Sequence, residues 1–135
     1  MNVTASLAGL PAFLSYFGVA IALLVAFCAI YVQLTPHHEF ALIRANKPAA
    51  SLAFGGSLLG FCLPLHAAIT NSVGLLDCVI WGAIALVVQL LAFFAMRLVI
   101  GDLSQRIVAN ETAAGGFVAA VSLGVGLLNA ASMSY

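Results

Sequence analysis

Polar side chains are scarce in this sequence, and those lying inside long apolar runs are where any chemistry would have to be done. Gln89 stands near the middle of one such run. A carboxamide at that depth needs a partner, either an interhelical hydrogen bond or a polar path through the membrane. Ser57 and Ser122 fall inside two other runs, with His66 and Asn129 late in the same two. These five residues are the candidate polar lining of a pore, the alternative being ordinary hydrogen bonding between helices or at the interface. Pro64 removes the N–H that the Gly60 carbonyl would normally receive, which predicts a kink. The freed carbonyl either faces an ion or is packed over.

Catalytic and metal chemistry find less support. His37, His38 and Glu39 are types that bind metals, and the two histidines could sense protons near neutral pH. Adjacent side chains point apart on a helix, so a shared chelate is not expected and a solvated loop is the default. Cys28, Cys62 and Cys78 show no zinc-type spacing, and an odd number cannot pair completely; they read as apolar filler. There is no Ser-His-Asp set, no phosphate-cradling glycine loop and no metal-ligand cluster. Neither an enzyme nor a cofactor is expected. No carboxylate lies deep in an apolar run, which argues against a buried acidic relay.

The elements that must position these groups follow from composition. The chain has 135 residues, 64% of them hydrophobic and only 6% charged, which does not describe a soluble domain. Spanning a bilayer takes about 20 apolar residues. Four stretches qualify, Pro11 to Leu34, Pro48 to Ile69, Asp77 to Ile100 and Thr112 to Met133, giving an all-α integral membrane protein in a single domain over residues 1–135. No Lys or Arg precedes the first run, so the basic region of a signal peptide is missing and the first helix is expected to stay. The net charge is zero, with four basic and four acidic residues, so nucleic acid is not an expected partner. Arg44, Lys47, Arg97 and Arg106 all fall in or beside two connecting loops, which the positive-inside rule places in the cytoplasm. Both termini and the turn from Thr70 to Leu76 then face the periplasm.

Sliding the sequence on itself by 64 residues aligns Gly18 with Gly82, Ile43 with Ile107, Asn46 with Asn110 and Leu59-Gly60 with Leu123-Gly124. The polar match at the two asparagines is the most informative of these. It predicts two tandem repeats, residues 11–72 and 75–135, each with two crossings and therefore parallel to each other. The loops read as short amphipathic helices at the cytoplasmic interface. Thr35-Pro36 and Asp102 are helix starts, Asn46 and Asn110 are corners that also cap the following helix, and Glu111 favours a helix N-terminus. Small residues follow each corner: Ala49, Ala53, Gly56 and Gly60, then Ala113, Gly116, Ala120 and Gly124. Such faces let backbones approach closely in lipid, so Gly56, Gly60, Gly116, Ala120 and Gly124 are the expected packing positions of an inner pair of helices. The fourth helix carries a further small strip, Ala119, Ser122, Gly126 and Ala130, suggesting enclosure by protein on more than one side.

At three segments, "TPHHEFALIRANKPAASLAFGGSLLG", "WGAIALVVQLLAFFAMRLVI" and "GLLNAASMSY", the chain resembles the YjfL-like inner-membrane family, catalogued as domain of unknown function 350. The resemblance implies a bacterial inner-membrane protein with duplicated helix pairs. It brings no activity and no site residues; it implies gene neighbourhoods containing envelope-stress proteins and ATP-grasp ligases. Two functions are therefore expected to compete. One is an oligomeric channel or transport-like protein for a small ion or solute. The other is a non-conducting scaffold or docking subunit for envelope-stress partners. Lipid, further copies of the chain and a cytoplasmic protein are the expected partners.

Overall fold

The computed structural model describes residues 3–35 and 39–133, and in them the chain is helical throughout. A short α1 (Val3–Leu7) leads into α2 (Leu10–Leu34); α3 (Glu39–Arg44) and α4 (Pro48–Asn71) follow, then α5 (Leu75–Val99), α6 (Leu103–Val108) and α7 (Thr112–Ala131). Four helical segments, Val3–Leu34, α4, α5 and α7, are long and apolar enough to cross a membrane. Pro11 and Pro48 stand in the first turns of α2 and α4, where a missing N–H costs nothing. Pro64 lies inside α4, which nevertheless continues to Asn71.

The two basic corners are built alike. Asn46 and Asn110 have φ of 62° and 63°, the left-handed region that asparagine enters more readily than most residues. In each, the asparagine N–H returns to an isoleucine carbonyl, Ile43 at 3.0 Å and Ile107 at 2.9 Å, and the next residue reaches one position further back. This is the Schellman closure, with asparagine in the place usually taken by glycine.

Several expected caps are different in detail. The Asn110 side chain does not cap α7; its Oδ1 accepts from the Ala49 N–H in the first turn of α4, at 3.2 Å. Asp102 precedes α6 but turns its carboxylate to Arg106 Nε, 2.9 Å away. Glu111 makes no side-chain cap on α7. Thr35 ends α2, donating from Oγ1 to the Val32 carbonyl at 3.1 Å. Pro36, His37 and His38 lie outside the described residues.

Packing centres on α4, which touches α2, α3, α5, α6 and α7. Its largest interface is with α7. Ala49 faces Gly115, Gly56 faces Ala119, and Gly60 faces Ser122 and Gly126, so the two helices run parallel. Aromatic rings hold α2 and α5 to this pair: Phe27 stacks on Phe61 at 4.9 Å, and Tyr31 meets Phe93 at 4.8 Å and Phe54 at 5.4 Å. Each such contact contributes about 0.5–1.5 kcal/mol beyond area burial. Gly82 leaves the space that Leu23 fills between α2 and α5. The outer residues of α2, among them Phe13, Leu14, Phe17 and Val25, are exposed and apolar, as lipid contact requires. Eleven residues of α4 are buried against five of α7, so α4 is enclosed whereas α7 is covered along one side only.

Candidate functional site: the seam between α4 and α7

Small residues allow the two backbones to touch, and polar groups then meet at the contact. A side chain on Gly56 would run into Ala119, one on Gly115 into the Ala49 carbonyl, and one on Gly60 into the Ser122 carbonyl. Ser57 and Ser122 are both buried, with their hydroxyl oxygens 3.4 Å apart. Ser57 also donates to the Ala53 carbonyl one turn back, at 2.7 Å, the usual way a helix satisfies an intramembrane serine. From α5, Gln89 Nε2 donates to the Ser122 carbonyl at 3.2 Å, and its Oε1 is buried without a partner among the described residues. Gln89 thus makes an interhelical hydrogen bond and tethers a third helix to the seam.

Pro64 and Gly126 complete the arrangement. The carbonyl freed by Pro64 is that of Gly60, and Gly126 lies directly against it, close enough that any side chain at 126 would collide with that oxygen. A glycine Cα–H is a weak donor to such a carbonyl. The oxygen is therefore packed over and not presented to an ion.

At the basic end, Tyr31, which sequence reading did not single out, and Glu39, which it read as part of a solvated loop, extend this polar patch. Tyr31 is fully buried, and its hydroxyl lies near Ser57 and Glu39. Glu39 is fully buried at the start of α3, not solvated in a loop. The available signal was a tyrosine one turn after Phe27, whose polar tip faces the end where the loops return. Arg97 Nη1 donates at 3.0 Å to the carbonyl of Leu34, the last residue of α2, where a cation suits the helix C-terminus.

The other candidates do not join the seam. His66 is exposed on α4, its carbonyl accepting from Thr70 Oγ1 at 3.0 Å. Asn129 lines a groove of about 330 Å³ with Val88, Val125, Leu128 and Ser132, its Nδ2 buried and without a partner among the described residues. The packing role expected of Gly116, Ala120 and Gly124 is corrected. Gly116 and Gly124 look onto open space and Ala120 is exposed. α7 instead turns Gly115, Ser122 and Gly126 to α4, because only that strip places a glycine over the freed Gly60 carbonyl and a carbonyl within reach of Gln89. No group of three metal-binding side chains occurs among the described residues. The three cysteines are free.

Four apolar helices joined by a close-packed glycine seam define an integral membrane protein of the small multi-helix class. The sequence model described as Domain of Unknown Function (DUF350) matches residues 5–133, and the chain belongs to that family. It is 46% identical over 126 residues to UPF0719 inner membrane protein YjfL of Escherichia coli (strain K12), covering 93% of this chain and 96% of that one. It is 25% identical over 121 residues to UPF0719 transmembrane protein YshE of Bacillus subtilis (strain 168), covering 88% and 90% respectively. No solved structure gives a significant match. The apolar helices and these relatives support an inner-membrane location.

Proposed function

We propose that this chain is a non-conducting, non-enzymatic membrane subunit, made by tandem duplication of a helical hairpin, that docks protein partners at a cytoplasmic basic end. Duplication is supported by the element starts. Glu39 and Leu103 open the short helices and Pro48 and Thr112 the long ones, each pair 64 residues apart, and the two left-handed asparagines keep the same offset. The docking surface would include α6 and the end of α5, where Arg97, Asp102, Ser104 and Gln105 line an open groove of about 210 Å³.

One observation carries the non-conducting reading: three of the five polar residues that could have lined a path, Ser57, Gln89 and Ser122, are turned to the seam. Ser57 faces Ser122, Gln89 bonds to Ser122, and the Gly60 carbonyl is covered by Gly126. The channel reading needs those groups to face a lumen. Reconstitution into liposomes tests the choice. We expect ion flux no greater than in protein-free liposomes; a leak that disappears in the Gly124→Trp variant overturns the proposal in favour of an oligomeric channel.

A further inference from the structure

Resting on the duplication just proposed, we infer that copies of this chain assemble head to tail, each joint between chains repeating the joint that already links the two halves of one chain. The internal joint is asymmetric. α4 offers Ala49, Gly56 and Gly60; α7 offers Gly115, Ala119, Ser122 and Gly126. Moving each set by 64 residues gives its counterpart on the other helix, and both counterparts keep an uncovered face. For α4's set these are Ala113, Ala120 and Gly124 on α7, the first two exposed and the third facing open space. For α7's set they include Gly55, Leu58 and Cys62 on α4, where Gly55 has nothing within reach and Leu58 and Cys62 are half-buried, Cys62 beside Cys28 of α2. Were the halves related by a two-fold axis, the chain would close on itself. Instead one complementary surface is left over at each end, which is the geometry of heterologous association.

The outer helices repeat the pattern. α5 buries Cys78, Gly82, Ala85, Gln89, Phe93 and Met96. The corresponding stripe on α2 begins Leu14, Gly18, Ile21, Val25; Leu14 is 57% and Val25 61% exposed, and Gly18 is open. Its receptor is present as well. The groove between α5 and α7, lined by Val125, Leu128, Asn129 and Ser132, corresponds to Phe61, Pro64, Leu65 and Ala68 of α4, all buried, where Leu65 meets Gly82 of α5. α2 of the next copy fits that groove as α5 fits beside α4. Asn46 is exposed and corresponds to Asn110, whose side chain caps Ala49 across the internal joint. In the assembly Asn46 of one copy caps Ala113 of its neighbour. Lipid alone would fill an open face, but it has no reason to leave matched surfaces at both ends in the register of an existing interface.

Thiol cross-linking in membranes tests this. One chain keeps Cys62 as its sole cysteine, with Cys28→Ala and Cys78→Ala. A second, differently tagged chain carries Gly124→Cys with all three native cysteines replaced by alanine. On mild oxidation of co-expressed chains we expect the two tags to become linked to each other, with neither chain linked to itself, and the yield to collapse when Gly55→Leu is added to the first. Self-linkage of the Gly124→Cys chain would mean a two-fold dimer and would overturn the inference. A cysteine-free chain carrying Ser57→Cys and Ser122→Cys reports separately on the internal seam. If that pair links within the chain while the two tags stay unlinked, head-to-tail assembly is wrong and the fold stands. If neither links, the seam and the duplication fall together with it.

Discussion

α4 and α7 are both glycine- and alanine-rich helices entered through a left-handed asparagine, yet α4 is enclosed by neighbours while α7 has one free side. The difference teaches that small residues permit close approach without deciding where it occurs. In lipid no hydrophobic force drives one helix onto another, so packing detail and polar satisfaction choose the face. α4 carries Pro64 and with it a carbonyl in need of cover, and Gly126 of α7 supplies that cover. α7 has no internal proline, and its corresponding strip stays open.

Substitutions at corresponding glycines should separate the two helices most strongly. Gly60→Leu forces a side chain into the Ser122 backbone and is expected to cost about 3 kcal/mol or more through overpacking. Gly124→Leu enters open space and should change the stability of the detergent-solubilised monomer by less than about 0.5 kcal/mol. Denaturant titration followed by circular dichroism measures both; equal losses would mean that α7 is as enclosed as α4.

The corners should differ less. Asn110→Gly keeps the left-handed backbone and removes the bond to Ala49, so about 1 kcal/mol should be lost in the same titration. Asn46→Gly, in the monomer, should cost only a few tenths of that, about 0.3 kcal/mol. A smaller effect than that of Asn110→Gly belongs to Gln89→Leu, which loses one interhelical hydrogen bond but also removes a partnerless buried oxygen; about 0.6 kcal/mol is expected. A loss several times larger would show that Gln89 Oε1 has a role that the seam geometry does not account for.

Much of the architecture could be read from residue order. The four apolar stretches coincide with the four long helices to within a few residues, since bilayer thickness sets their length. Both asparagines were legible as corners because few other L-residues tolerate positive φ. The seam was harder to read. α7 carries two small strips, and periodicity cannot say which one meets α4. Glu39 reads as a loop residue because its burial depends on α2, which places Tyr31 near it. The cap on α4 comes from Asn110, 61 residues away, and no local pattern reports a partner at that separation.

By itself, the sequence determined how many helices are long and apolar enough to cross the lipid, where the chain turns, and that its charges gather at the connecting loops, because apolar transfer and backbone preference are properties of each residue and its near neighbours. Only the tertiary structure decided which glycines touch, which carbonyl is covered, and which polar groups are spent on holding helices together. Those outcomes depend on pairs of surfaces far apart in the chain, and among equally apolar faces the choice turns on a few atoms.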